Sequence, residues 1–187
     1  MTHGPHAIIP ILKTSRLQLH PLTLADAPRY QQLIAHWGMV RYITDNMPWP
    51  YPADEAERYI REDALPAMAN AEEWHWTLRL RDAPELIIGV ISLMDEYNDN
   101  RSFWIAEPWQ NKGLVSEACQ AVNRFWFQAL GKPVLRVAKA AANEPSRRIS
   151  MREGMRVVLK RQQSFVGGTM EEEIWQLTRD EWLSQQR

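Results

Sequence analysis

The chain has 187 residues, enough for one domain with a substantial hydrophobic core. Its formal net charge is −1, which argues against a general nucleic-acid binder, and no run approaches the roughly 20 apolar residues of a membrane span. The single cysteine, Cys119, excludes an intramolecular disulfide and fits a reducing compartment, so the cytoplasm is the expected location.

No repeat, low-complexity stretch or Gly/Ser linker divides the sequence. It reads as one domain over 1–187, with 1–13 as a flexible N-terminal segment that lacks the basic start and long apolar core of a signal peptide. SRLQLH (15–20) alternates as a strand does. Thr23 followed by Asp26 forms a capping-box pattern, and a helix is expected to run to about Ala35. NMPWPYP (46–52) is a proline-rich loop displaying aromatic residues. A second helix spans 53–68, with Pro66 expected to end or kink it.

WHWTLRL (74–80) and LIIGVISL (86–93) read as strands, the second buried. Asn98-Asp99-Asn100 is turn chemistry, so 101–106 is expected to return as an antiparallel partner. Leu114 to Leu130 shows helical apolar spacing, with Gly131 as its C-cap. A strand over 134–138 and a helix over 145–153 follow, the helix carrying Pro at its first turn and Gly154 past its end. Strands over 155–165 and 170–178 meet at a Gly167-Gly168 hairpin turn, and a short helix closes the chain. The order predicts an α+β fold, a mostly antiparallel mixed sheet of about seven strands with helices on both faces.

The chemistry sits in FWIAEPWQNKGLVSEA (103–118). A strand ends at Pro108, and the loop Gln110-Asn111-Lys112-Gly113 leads into the strongest helix of the chain. Unpaired amides and the helix dipole converge there, Lys112 adds a full charge, and Gly113 permits close approach: an anion site suited to phosphate. The same residues resemble the Q/R-x-x-G-x-G/A motif of the GNAT acetyltransferases, with Gln110 and Gly113 at its first two fixed positions. Further landmarks follow the order found in the branch that contains the ribosomal-protein N-terminal acetyltransferases. These are Thr14-Ser15-Arg16-Leu17-Gln18-Leu19, Leu22-Thr23 with Asp26-Ala27, Ile88 to Leu93, Asn143 with Ser146, and Glu153-Gly154-Met155. Asn111 stands where the family usually has Gly, and Val115 where it has Ala or Gly.

The resemblance implies the GNAT fold and acetyl-CoA as co-substrate, with an amine as acceptor. Gln110, Asn111, Lys112, Gly113, Leu114 and Val115 are then expected at the pyrophosphate. A backbone amide in the stretch Trp104-Ile105-Ala106 is expected at the thioester carbonyl. Ser146 is the candidate proton donor to the leaving thiolate, and Asn143 is expected at the pantetheine arm or ordering its loop. Asp95 and Glu96 are candidate bases for the amine, beside Glu107 or a bound water. Trp49, Tyr51, Trp74 and Trp76 are candidates to line the acceptor pocket. Arg147 and Arg148 either reach the adenosine phosphate or face solvent. The five histidines show no metal-ligand spacing, and neither a metal nor a phosphate-binding nucleotide motif is expected. Cys119 is read as packed rather than nucleophilic. The acceptor stays open among a protein N-terminus, a polyamine, an amino acid and an aminoglycoside-like drug. Aromatic content leans towards the amino acid or peptide terminus. The alternative function is a non-catalytic acyl-CoA-binding or sensing domain. Homodimers are common for this fold, and no residue pattern here requires one.

Overall fold

Alternation in WHWTLRL sends Trp74, Trp76 and Leu78 to one face of their strand and His75 and Thr77 to the other. In the computed structural model, which describes residues 9–186, that strand is the centre of an antiparallel five-stranded sheet. The strands are β1 (Leu12–Lys13), β2 (Leu17–Pro21), β3 (Glu73–Leu80), β4 (Ala83–Met94) and β5 (Arg101–Ile105), in chain order across the sheet. The N-terminal segment expected to be flexible therefore contributes a short strand, and Pro10 accepts the Trp76 indole N–H at 2.8 Å. Residues 1–8 lie outside the described residues.

One sheet face carries α1 (Ala27–Ile34), α2 (Trp37–Val40), α3 (Glu55–Tyr59) and α4 (Leu65–Ala69). Asp26 starts α1 as expected: its carboxylate accepts the Thr23 amide at 2.8 Å and pairs with Arg79 at 2.7 Å. Pro66 does not end its helix. A π turn at Ile60–Ala64 joins α3 to α4, so the ladder changes spacing just before the residue that has no N–H to give. Tyr30, Ile34, Ala56 and Ile60 bury their apolar sides here with Val90 of β4.

The opposite face carries α5 (Leu114–Arg124), continued by a second π turn at Phe125–Ala129. Leu114, Ala118, Cys119 and Val122 pack on Trp74, Trp76 and Leu78, with Trp126 and Phe127 completing the main core. Gly131 ends this element in the left-handed region, at φ +67°. Removing the apolar area of such large residues from water is the principal source of stability.

The second sheet holds β6 (Val134–Ala140), β7 (Arg156–Phe165) and β8 (Gly168–Thr178), ordered β6-β8-β7 and again antiparallel. Between β6 and β7 lies α6 (Glu144–Arg152), and α7 (Arg179–Ser184) follows β8 from a Thr178–Glu181 capping box. The hairpin turns at Val166-Gly167, one residue earlier than expected, and Gly168 opens β8. Gly167 is fixed there because a Cβ would meet the Arg41 carbonyl at 2.6 Å. The fold class is the α+β arrangement expected. The sheet divides in two because, among the described residues, no ladder joins β5 to β6. They meet at one end, where the Asn100 amide donates to the Arg136 carbonyl at 2.6 Å and the Asp99 carboxylate accepts the Ala138 amide at 3.1 Å. A strap over residues 41–45 closes another side of the cleft. Its Ile43 carbonyl accepts Val166 N–H at 2.9 Å, and Thr44 bridges Phe165.

Candidate active site

The stretch after β5 turns sharply and opens backbone amides at the start of α5. Asn111 takes φ +59° and Gly113 takes φ +75°, so the chain turns twice through the left-handed region before entering α5. Asn tolerates that region better than other residues with a Cβ, so this departure from the family pattern leaves the turn intact. Gly113 caps α5 with no side-chain bond, and the first intrahelical amide is Glu117, donating to Gly113 at 3.1 Å. The amides of Leu114, Val115 and Ser116 therefore have no partner within the helix. They open at the positive end of the dipole, beside exposed Lys112.

The loop is pinned from outside. Arg16 Nη1 donates to the Lys112 carbonyl at 2.9 Å, and Arg16 Nε pairs with Glu117 at 2.7 Å. Burial works against ionising Glu117. Hydrogen bonds from Thr14, the Arg16 amide and side chain, and Ser15 overcome it and take the carboxyl to about 2. From Gly113 an open groove of about 800 Å³ runs along Ser116, Gln120 and Asn123 of α5 to Ile149 and Arg152 of α6. Arg147 faces away from any phosphate role, tied to Glu173 at 2.9 Å and Glu144 at 2.7 Å, while Arg148 is exposed.

A second cavity of about 350 Å³ lies where β5 and β6 part. Ser102 and Phe103 line it from β5, Lys139 from β6, Asn143 and Ser146 from the start of α6, and His75 from β3. Asn143 is the N-cap of α6, its Oδ1 accepting the Ser146 amide at 3.4 Å, so the pair is brought together by one helix start. Lys139 is buried, and its ammonium donates to the Ser146 carbonyl at 3.1 Å and to Ser150 Oγ at 2.5 Å. Desolvation, then the nearby Arg101 charge, lowers Lys139 to about 7. Desolvation raises Asp99, on the same wall, to about 7.

Strand parity decides which amides face this cavity. Met94 N–H donates to Asn100 at 3.0 Å and Ala106 N–H to Ile88 at 2.9 Å. The amides of Ser102 and Trp104 fall on the same side, towards β4, and those of Arg101, Phe103 and Ile105 face the open edge. The expectation for Trp104 and Ala106 is corrected accordingly: their amides belong to the ladder, and the Trp104 ring packs edge-on against Tyr30 at 5.1 Å. Within that stretch Ile105 turns its amide to the open edge, as Phe103 does before it. Gly89 sits opposite Ile105, where a Cβ would lie 2.4 Å from the Trp104 carbonyl, so only glycine lets β4 and β5 approach this closely.

Other expectations are also corrected. Trp74 and Trp76 are buried on the α5 face against Phe125 and Trp126, because alternation turns them away from the cleft. Asp95 leaves the cavity to pair with Lys132 at 2.5 Å, whereas Glu96 lines it. Trp49 is exposed and packs against Trp37 at 5.6 Å, and Tyr51 joins the core beneath α1 and α3. The aromatic lining comes instead from Tyr42, Tyr59, Phe103 and Phe165. Glu73, His75, Tyr59, Asp99 and Lys139 also line this cavity, and the alternation that buries Trp74 and Trp76 points His75 the other way.

Arg101 separates the two cavities. Fully buried, it makes a two-pronged pair with Glu153 at 2.8 and 2.7 Å and donates to Asn123 at 2.6 Å. Cys119 is buried, and desolvation pushes its thiol up to about 12, so it carries no nucleophile.

With this geometry established, comparison shows that the acetyltransferase (GNAT) domain family matches residues 16–156. No curated protein matches the chain. Three solved structures illustrate the shared fold. RimL, the ribosomal L7/L12 α-N-protein acetyltransferase in complex with coenzyme A, is 14% identical, covering 92% of this chain and 98% of its own, with a TM-score of 0.76. The ribosomal-protein-S5-alanine acetyltransferase of Vibrio fischeri is 12% identical over 92% and 98%, at 0.78. Mycobacterium smegmatis RimJ in complex with CoA-disulfide is 14% identical over 96% of each chain, at 0.77.

Proposed function

We propose that this chain, which belongs to the acetyltransferase (GNAT) family, transfers the acetyl group of acetyl-CoA to a primary amine of a small molecule or a protein N-terminus. One observation carries the reading. The amide-rich start of α5 opens on one groove, and the open edge of β5 and the Asn143–Ser146 pair border the cavity where the two sheets part, and in this reading acetyl-CoA occupies both.

In this reading Leu114, Val115 and Ser116 donate amides to the pyrophosphate, with Lys112 adding charge. The amine nitrogen forms a bond to the thioester carbon, and the C–S bond then breaks from a tetrahedral intermediate. Phe103 and Ile105 donate amides from the open edge to the oxygen that gains charge, a contribution of about 3 kcal/mol for a well-placed donor. Ser146 gives its proton to the departing thiolate, and Asn143 keeps it in place by capping α6. Glu73 and Glu96 favour an acceptor that arrives as an ammonium, since Glu172, deeper in the cavity, is committed to Arg161 at 2.5 Å.

The test is calorimetric titration with acetyl-CoA of the wild type and of a Lys112→Glu/Gly113→Pro double variant whose fold is checked by circular dichroism. Micromolar binding by the wild type alone supports the site. Absence of binding to folded wild type overturns the reading. Binding without turnover on any amine favours the acyl-CoA sensor instead. Ser146→Ala is expected to lower kcat about 10-fold or more with little change in acetyl-CoA affinity.

A further inference from the structure

The mechanism above leaves the amine's proton without a destination, and the cavity holds a hydrogen-bonded chain that nothing in it yet uses. Ser92 of β4 lies 2.6 Å from His75 Nδ1, and His75 Nε2 lies 2.6 Å from Glu73 Oε2. Ser92 and His75 are 5% and 3% exposed, while Glu73 is partly open at the cavity wall. An ionised Glu73 can only accept, so Nε2 must carry the proton donated to it. A neutral ring then has Nδ1 free to accept from the Ser92 hydroxyl. Both ring nitrogens are thereby occupied, and the group left with accepting capacity towards the cavity is the Glu73 carboxylate.

We infer that Glu73 is the base that takes the proton from the acceptor amine, with His75 and Ser92 as positioning residues that fix its carboxylate. This inference rests on the acetyltransferase reading above. Glu73 takes one proton from the arriving ammonium, and the N–H pair left on nitrogen becomes the lone pair that bonds to the thioester carbon. The C–S pair leaves with sulfur, which takes a proton from Ser146, and the proton shed by the nitrogen of the tetrahedral intermediate restores the Ser146 hydroxyl. Glu73 returns its proton to solvent through the open side of the cavity.

The surroundings suit this role from every element. Tyr59 of α3 sets its ring edge-on to His75 at 6.4 Å, and burial, with the Glu73 charge contributing, pushes its phenol up, so it stays a neutral wall. Glu96 and Asp99 face the cavity from the β4–β5 connection, Lys139 from β6 and Glu172 from β8. Of these, Lys139 is held by Ser146 and Ser150, Asp99 by the Ala138 amide and Glu172 by Arg161, so each already has a partner. Glu96 is the competing carboxylate, and no fixed network orients its side chain among the contacts of the described residues.

The experiment takes the best acceptor from a panel of a serine-led peptide, an alanine-led peptide, spermidine and kanamycin. Rates with acetyl-CoA are measured from pH 6 to 10 for wild type, Glu73→Gln, Ser92→Ala and Glu96→Gln. Glu73→Gln is expected to lower kcat/KM about 100-fold at neutral pH with unchanged acetyl-CoA affinity. Its deficit then shrinks about tenfold per pH unit as the amine deprotonates in solution, because the base is needed only while the amine is protonated. Ser92→Ala gives a smaller loss with the same pH trend. A deficit constant across pH marks a structural role and overturns the inference, as does the pH-dependent loss appearing in Glu96→Gln. A wild type that acetylates no amine overturns the acetyltransferase reading and this inference with it. Full wild-type turnover with an unimpaired Glu73→Gln overturns the inference alone.

Discussion

Glu117 offers the sharpest test of how the loop before α5 is held. Its carboxylate receives bonds from Thr14, Ser15 and Arg16, and its pKa falls from 4.5 to about 2. At about 1.36 kcal/mol per pH unit, that difference corresponds to about 3 kcal/mol of native-state preference for the ionised form. The Glu117 side chain is 14% exposed but its partner Arg16 is 50% exposed, so solvent screening reduces the expected share to about 2 kcal/mol. The folded pKa lies below the unfolded one. The contribution is therefore complete above pH 4.5 and is lost as pH falls towards 2. Glu117→Gln is expected to lower unfolding free energy by about 2 kcal/mol at pH 7, measured by urea denaturation, and the gap from wild type should close as pH approaches 2. The same variant frees Arg16 and with it the Lys112 carbonyl, so acetyl-CoA affinity should fall about tenfold. Equal stability of the two proteins at pH 7, or a gap that does not change with pH, refutes the reasoning.

Gly89→Ala drives a methyl into the Trp104 carbonyl and should cost about 1–3 kcal/mol of stability while displacing the open edge of β5, seen as a fall in kcat larger than the rise in KM. Glu153→Leu leaves the Arg101 charge buried without its partner and should cost about 3–5 kcal/mol by chemical denaturation, with Arg101→Met in the same chain restoring most of it. Lys139 is lowered in the fold from 10.5 to about 7, so the native state binds fewer protons than the unfolded chain between those values. Wild-type stability relative to Lys139→Met should therefore rise from pH 7 to pH 10.5, and a flat difference counts against the burial of that amine.

The fold was legible wherever period and punctuation agreed. Alternation in 74–80, helical spacing in 114–130 and the Thr23–Asp26 and Thr178–Glu181 capping boxes each specify an element through local chemistry, and the structure contains all four. Departures come from tertiary demands that a local window does not contain. A π turn lets Pro66 stay within its helix, and the Arg41 carbonyl packs against Gly167 in the last hairpin turn. The amide-rich loop was readable because Lys112-Gly113 precedes a clear helix start. The acceptor side was not. Which tryptophans enter a pocket depends on which sheet face carries α5, and that is decided by chain crossing rather than by residue type. Asp95 and Glu96 are adjacent and chemically alike, yet one turns to Lys132 and the other to the cavity.

Why the reactive groups collect at one place follows from the split itself. An antiparallel sheet normally consumes every edge amide of its inner strands, leaving none for a substrate. Here β5 would be an inner strand if β6 paired with it along its length. Instead Asp99 and Asn100 spend their side chains on the amides of Ala138 and Arg136, which, with the Asn100 N–H to the Arg136 carbonyl, joins the sheets at one end. Along the rest of β5 the outward amides meet no strand among the described residues. Arg101 and Glu153 then brace the opening from within, and the strap at 41–45 braces it from without. Substituting Asp99 and Asn100 with residues that cannot hold β6 at that distance should therefore affect turnover more than fold, because it changes the width of the gap and leaves both sheets their own cores.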